Sequence, residues 1–227
     1  MVGSSYRLLL VCDYSKTLTY EEVLPAVLSG GVRDAISRQM QTRERSDILP
    51  WVEGRRQMIE MLVNYGLTKA HVANGRDSIK LRYWVLPLLG YLKKRNDIYS
   101  AIITGDWADL MPSHLMEAFN TVVGNIPKWN CDYYLTGEHL IVGENKHERL
   151  MTISKEIGVL LSHTVVIADG RNDYKMMELV ARNGGLAVAV EDCYDGLRKI
   201  PNIAIIEDQG DAVELMQQFE RKLYSPK

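Results

Sequence analysis

At 227 residues, 46% of them hydrophobic, the chain can bury a proper core as one domain of ordinary size, or as a core with a smaller insertion. A formal charge of −2 provides no basic footprint for nucleic acid or an anionic membrane, and no apolar run approaches the roughly 20 residues that span a bilayer. The N-terminus lacks the long apolar stretch and small-residue cleavage site of a leader, and Cys12, Cys131 and Cys193 stand far apart in no metal-ligand pattern, as expected of free thiols in a cytoplasmic protein.

In chain order, "YRLLLVC" (6–12) is a compact apolar run suited to a strand buried on both faces. Residues 18–83 contain no clear strand run and hold most of the long charged stretches, such as "SRQMQTRERSD" and "VEGRRQM". They read as a helical insertion between the first strand and the rest of the sheet. "WVLPLLGYLKKR" (84–95) has helical spacing, with Pro87 early enough to be tolerated. "YSAIIT" (99–104) predicts a strand, "LMPSHLMEAFNTV" (110–122) a helix, and "YYLTGEHLIVG" (133–143) a hairpin centred on Thr-Gly-Glu. A helix over 146–158, a strand "TVVIA" (164–168), a helix over 173–184, strands "LAVAV" (186–190) and "IAIIE" (203–207), and a last helix over 211–223 follow. Short buried strands alternating with helices predict a mostly parallel sheet covered on both faces.

Ligands of such sheets collect outside the carboxyl ends of the strands, near a switch in strand order. Strand 6–12 ends in Asp13, strand 99–104 in Thr104-Gly105-Asp106, and strand 164–168 in Asp169-Gly170. Asp169 and Asp173 flank a turn that opens a helix, so each suits either a helix cap or a hard-cation site. Two acids brought together repel unless they share a proton or a cation. A divalent ion would remove that conflict and leave Asp13 ionised as a nucleophile. Thr104 offers a hydroxyl to a phosphoryl oxygen, and Lys146, at the start of its helix, offers an ammonium to developing charge. Arg55 and Arg56 either meet an anionic group on a substrate or form a solvated helix face, while Trp51 and Trp84 either close over a ligand or pack.

Taken in order, Asp13-Tyr14-Ser15-Lys16-Thr17-Leu18-Thr19, Ile102-Ile103-Thr104-Gly105, Lys146 and Ala168-Asp169-Gly170-Arg171-Asn172-Asp173 resemble the four motifs of the haloacid dehalogenase (HAD) superfamily. "LTGEHLIVGENKHERL" and "GGLAVAV" are most similar to its phosphoserine phosphatase branch. The resemblance implies a Rossmann-like three-layer α/β/α core over 1–17 and 84–227, with residues 18–83 as an inserted helical cap. It implies a Mg²⁺-dependent phosphatase or phosphotransferase acting on a small phosphorylated metabolite through an aspartyl-phosphate at Asp13. By the same resemblance, Mg²⁺ is held by the carboxylates of Asp13 and Asp169 and the main-chain carbonyl of Ser15. Thr104 and Lys146 bind the phosphoryl group, and the Gly105 N–H points at it. Asp173 orients Lys146 or the metal's waters, Glu22 (or Glu21) contacts substrate, and Arg56 is the candidate cap residue for an anionic group.

One position departs from the pattern. Phosphatases of the superfamily place a second aspartate two residues after the nucleophile, as acid and base; here that residue is Ser15. A hydroxyl without a neighbouring base is too weak a base, and the lost help is worth roughly 10²–10⁴-fold. The expectation is a long-lived covalent intermediate and slow turnover. The alternatives are a catalytically weakened relative that binds a phosphorylated ligand or a protein partner, and different C–X or P–C bond chemistry on the same scaffold.

Overall fold

Leu8–Cys12 is aliphatic apart from its last residue and carries no polar alternation, which suits a strand covered on both faces. In the computed structural model, which describes residues 6–28, 33–38 and 51–225, it forms β1, buried throughout. β1 pairs in parallel with β2 (Ile98–Trp107) on one side and with β5 (Thr164–Ala168) on the other. With β3 (Thr121–Trp129), β4 (Leu135–His139), β6 (Leu186–Val190) and β7 (Ala204–Ile206), the described residues form one sheet in the order β4-β3-β2-β1-β5-β6-β7. Every pairing is parallel except β3 with β4. Strand order therefore reverses at β1, and the carboxyl end of β1 is where a crevice forms.

Helices cover the sheet. α1 (Val23–Ala26), α2 (Trp51–Tyr65) and α3 (Lys69–Arg76) lie between β1 and β2, with residues 33–38 also helical. α4 (Val85–Leu92), α5 (Ser113–Ala118), α6 (Lys146–Ile157), α7 (Tyr174–Arg182) and α8 (Ala212–Tyr224) follow. α6 packs on α7 and α4 on α8, the two helical layers of a three-layer α/β/α arrangement. Among the described residues no helix is long and apolar enough to cross a membrane, and the three cysteines are free.

The chain leaves β1 and returns to α4 through two adjacent passages. Thr19 bridges Leu81, Tyr20 N–H donates to Lys80 O at 3.1 Å, and Arg82 N–H donates to Leu18 O at 3.0 Å. The buried Arg82 guanidinium donates to the Lys16 carbonyl at 3.0 and 2.7 Å and to Asp192 at 2.5 Å. Lys16 sits at φ 57°, a left-handed conformation disfavoured for a side chain of that size, and these bonds hold it there.

Three sequence expectations need correction. β2 runs three residues beyond Thr104, with its pairing to β3 shifting between Ile103 and Trp107; Gly105 and Asp106 look like turn residues but sit in an irregular strand end. The helix expected over 110–122 is only α5, Ser113–Ala118, preceded by a 3₁₀ turn and followed directly by β3. Strand-poor Gly124, Asn125 and Pro127 disguised β3. The hairpin turns at 130–134 and not at Thr-Gly-Glu: Asn130 Oδ1 accepts from Asp132 N–H and Tyr134 N–H at 3.0 and 2.9 Å, an Asx-type turn. Thr136, Gly137 and Glu138 lie inside β4.

Asn125, buried within β3, uses its whole amide. Nδ2 donates to Gly105 O (2.8 Å) and Val142 O (3.1 Å), while Oδ1 accepts from Ile141 N–H (2.7 Å) and Val142 N–H (2.8 Å). It thereby ties the end of β2 to the loop before α6. Asn125→Leu preserves bulk but strips four backbone groups of their partner, each worth about 1–3 kcal/mol when left unsatisfied. We expect a loss of at least about 3 kcal/mol in urea denaturation, and a loss under about 1 kcal/mol would show that the amide is not the tie.

Candidate active site

Asp13 continues the ladder by one residue, its N–H donating to Ile167 O at 3.0 Å. The chain then turns through Lys16 and brings Thr17 back, so that Thr17 Oγ1 donates to Asp169 Oδ1 at 2.6 Å. Asp169 follows β5 directly. Four residues on, Asp173 accepts from Gly170 N–H at 3.1 Å and stands immediately before α7. Carboxylate oxygens of Asp13, Asp169 and Asp173 lie within 4.8 Å of one another, and all three residues are buried. Lys146, the first residue of α6, reaches between them with Nζ 2.8 Å from Asp13 Oδ1 and 2.7 Å from Asp173 Oδ1. It is 0% exposed.

Burial dominates the electrostatics. It pushes Asp13 well above the usual carboxylate range; Lys146 works against that, while Asp173 and Asp169 add to it. Burial likewise pushes Asp169 up to about 7, with Asp173 adding and Lys16, 3.9 Å away, subtracting. Burial opposes the charge on Lys146, yet Asp13 and Asp173 together hold its ammonium above its ordinary value. Three carboxylates around one buried ammonium leave an excess of negative charge. The Lys146 ammonium, 2.8 Å from Asp13 Oδ1 and 2.7 Å from Asp173 Oδ1, is shared between two of the three carboxylates. An all-oxygen donor set with surplus negative charge fits a hard divalent cation.

Thr104 lies buried in β2, the strand beside β1, and its Oγ1 accepts from Asp106 N–H at 3.1 Å. Gly105 is accounted for by a neighbour: a Cβ there would lie 2.7 Å from the Trp51 ring, and one at Gly143 would lie 3.0 Å from the same ring. Trp51, the first residue of α2, is thus seated between the end of β2 and the loop before α6, with its N–H directed at Glu144 (3.4 Å). Trp84 is simply buried.

The expectation for Ser15 is overturned in one respect. Its hydroxyl has a neighbouring carboxylate: Oγ donates to Asp106 Oδ2 at 2.5 Å and accepts from Val23 N–H at 3.0 Å. Asp106 Oδ1 lies 3.5 Å from Nη1 of Arg55, whose Nε and Nη2 bind Glu138 at 3.0–3.2 Å. Trp107 Nε1 also donates to Glu138, at 2.9 Å. Arg55 is 2% exposed; the adjacent Arg56 points outward to Glu53 and Glu60 and is not brought to the cluster. Glu22 precedes α1, next to the Val23 N–H that binds Ser15, whereas Glu21 pairs with Arg33 in solvent. Sequence reasoning assigned no role to Asp106 or Glu138. The available signal was an acid close to a short apolar run: Asp106 after Ile102-Ile103 and beside Trp107, and Glu138 shortly before Leu140-Ile141-Val142.

No curated protein matches the chain in sequence. Among solved structures it resembles a phosphoserine phosphatase captured as a phospho-aspartyl intermediate analogue, at 21% identity and TM-score 0.78, covering 94% of this chain and 99% of that one. A substrate-bound phosphoserine phosphatase matches at 21% identity and TM-score 0.78 over 93% and 98% of the two chains. A HAD family hydrolase from Salmonella enterica serovar Typhi matches at 19% identity and TM-score 0.77 over 96% and 72%. At these identities the likeness is one of fold. The model of one family matches residues 10–178, well over half the sequence and including all four clustered side chains, and by that match the chain belongs to the haloacid dehalogenase-like hydrolases.

Proposed function

We propose that this protein is a Mg²⁺-dependent phosphohydrolase that transfers the phosphoryl group of a small phosphorylated metabolite to Asp13 and then to water. The observation that carries the reading is the position of Asp13: a carboxylate at the tip of the central strand, with Lys146, Asp169 and Asp173 around it. A carboxylate oxygen of Asp13 bonds to phosphorus as the bond to the leaving oxygen breaks; water then bonds to phosphorus as the Asp13 bond breaks, and the carboxylate is restored. Lys146 and Thr104 hold the phosphoryl oxygens and offset their charge. Asp173, anchored by the Gly170 N–H, keeps Lys146 in place.

The Asp13 and Asp169 carboxylates and the Ser15 carbonyl would hold Mg²⁺. When bound, the ion supplies positive charge to the phosphoryl oxygens and keeps Asp13 ionised. Residues 18–83 serve as the cap over a core of 1–17 and 84–227, with Glu22 and the Gly105 backbone facing substrate. Arg56 is left out of this assignment, because its guanidinium is committed to Glu53 and Glu60. The reading of a non-catalytic phosphate binder drew on an isolated Ser15, and the Ser15–Asp106 bond removes that support.

Incubation with Mg²⁺ and p-nitrophenyl phosphate or acetyl phosphate should release phosphate and add one phosphoryl mass at Asp13, and Asp13→Asn should abolish both. Absence of release and of mass gain at every pH tried would defeat the proposal.

Metal binding has its own signature. Asp169 is raised from 3.8 to about 7 in the fold, so the folded metal-free protein keeps a proton that the unfolded chain releases near pH 4. Its stabilising effect is complete below that pH and is lost as pH rises through about 7. A divalent cation competes with this proton. The gain in stability on adding Mg²⁺ should therefore grow from pH 4 to 7, to about 2.7 kcal/mol at a hundredfold excess over Kd, and disappear in Asp169→Asn. A gain that is flat with pH, or that survives the substitution, would place the ion elsewhere.

A further inference from the structure

Hydrolysis of an acyl phosphate needs a group that positions the water and takes its proton. Neither Asp13, which is esterified at that stage, nor Lys146, which is cationic, can do this. Ser15 stands on the same loop two residues after Asp13, at the position of the missing second acid. Its hydroxyl is fully specified: the hydrogen goes to Asp106 Oδ2, one lone pair accepts the Val23 N–H, and one lone pair remains. Asp106 is fixed in turn. It is 4% exposed, Arg55 lies against its other oxygen, and Glu138 and Trp107 hold Arg55 from behind. Burying two carboxylates on one guanidinium is costly as a mere tie between a helix and two strands, and a neutral amide would join them as well.

We infer that Asp106, acting through the Ser15 hydroxyl, positions the water that hydrolyses the aspartyl-phosphate; the inference rests on the function proposed above. By accepting the Ser15 hydrogen, Asp106 turns the remaining lone pair of Oγ into an acceptor for that water. As the water oxygen bonds to phosphorus and the Asp13–phosphorus bond breaks, one water hydrogen passes to Ser15 Oγ and the original hydroxyl hydrogen crosses to Asp106 Oδ2. The products are hydrogen phosphate, the Asp13 carboxylate and a protonated Asp106. In the next phosphoryl transfer the same two hydrogens shift in reverse, the leaving oxygen receives the proton, and Asp106 is a carboxylate again. The acid missing two places after the nucleophile is supplied from β2. Because Arg55 belongs to α2, an inserted helix also contributes to holding Asp106.

The test is rapid-quench kinetics with p-nitrophenyl phosphate, whose leaving group needs no proton, combined with mass measurement of the phosphorylated chain. Asp106→Asn keeps an acceptor oxygen but cannot take the proton; Ser15→Ala breaks the same link from the loop side without leaving a charge unpaired. Both should retain the burst of p-nitrophenol, accumulate phosphorylated Asp13, and hydrolyse it at least roughly 10²-fold more slowly. Ser15→Asp in the Asp106→Asn background should restore hydrolysis by placing a carboxylate beside the water. Wild-type hydrolysis in both single variants overturns the inference alone, and so does a proportional loss of burst and hydrolysis, which marks a structural bond. A native protein that is never phosphorylated and releases no phosphate overturns the function and this inference together.

Discussion

A fully buried ammonium lies between two buried carboxylates at the tip of the central strand, and the arrangement of Asp13, Lys146 and Asp173 constrains everything around it. Taking such charges out of water is unfavourable by several kcal/mol per ion, and mutual attraction offsets that only when the geometry is held. The fold supplies this hold through main-chain anchors. Asp13 is fixed by the β1–β5 ladder, Asp173 by the Gly170 N–H, and Lys146 by its place at the start of α6. The loop before α6 is fixed by Asn125, which carries the constraint across to β2. With one buried ammonium among three carboxylates, and Lys16 only at 3.9 Å from Asp169, the cluster is still unbalanced, so it is a poor structural element by itself and suits a cation.

A second polar layer lies behind the first. Ser15, Asp106, Arg55, Glu138 and Trp107 form a continuous chain of bonds from the loop after β1 through β2 to α2 and β4. Within it the inserted helices contribute Arg55 from α2 and the Val23 N–H of α1 on Ser15, and the Trp51 ring one turn before Arg55 is seated against Gly105 and Gly143. The Arg55 and Trp51 contacts are made by the first turns of α2. That helix therefore meets both Asp106 and the backbone at Gly105 and Gly143. A buried network is worth more than its pairs when every member is satisfied, and it is costly when one is lost. Lifting α2 away would leave Asp106 and Glu138 without their common partner, so the network favours the seated arrangement.

The sequence was most legible where physics leaves least choice. β1, β5 and β6 are buried on both faces and read as unbroken apolar runs; "TVVIA" and "LAVAV" have the bounds expected of them. Asp13, Asp169, Asp173 and Lys146 were legible because a strand tip or a helix start fixes where a side chain goes. β3 and β4 were not. Their cores hold Gly, Asn, Pro and Thr-Gly-Glu, whose local preferences are for turns, and tertiary pairing overrides those preferences. Arg55 and Arg56 illustrate a different limit. Adjacent residues on a helix point about 100° apart, so one is buried on Glu138 and the other lies in solvent. Which one turns inward depends on the phase of a helix with charges on all sides, and that phase is set by what the helix packs on.

Ser15 shows why motif spacing is an incomplete guide to chemistry. Spacing along a loop records which residues share a backbone; a proton needs only a carboxylate within hydrogen-bond reach, whatever its place in the chain. At Ser15 the backbone duty and the side-chain duty of one position separate. The carbonyl can serve a cation whatever the side chain, while the hydroxyl connects to an acid 91 residues away, on a strand that runs three residues longer than its sequence suggests. Had β2 ended at Thr104, as the turn-like Gly105-Asp106 implies, Asp106 would face solvent and the serine would indeed be isolated. The irregular extension of β2, held by Asn125 and roofed by Trp51, is what buries that carboxylate beside the hydroxyl. The Ser15 hydroxyl and the irregular end of β2 are thereby joined through one hydrogen bond, from Oγ to Asp106 Oδ2.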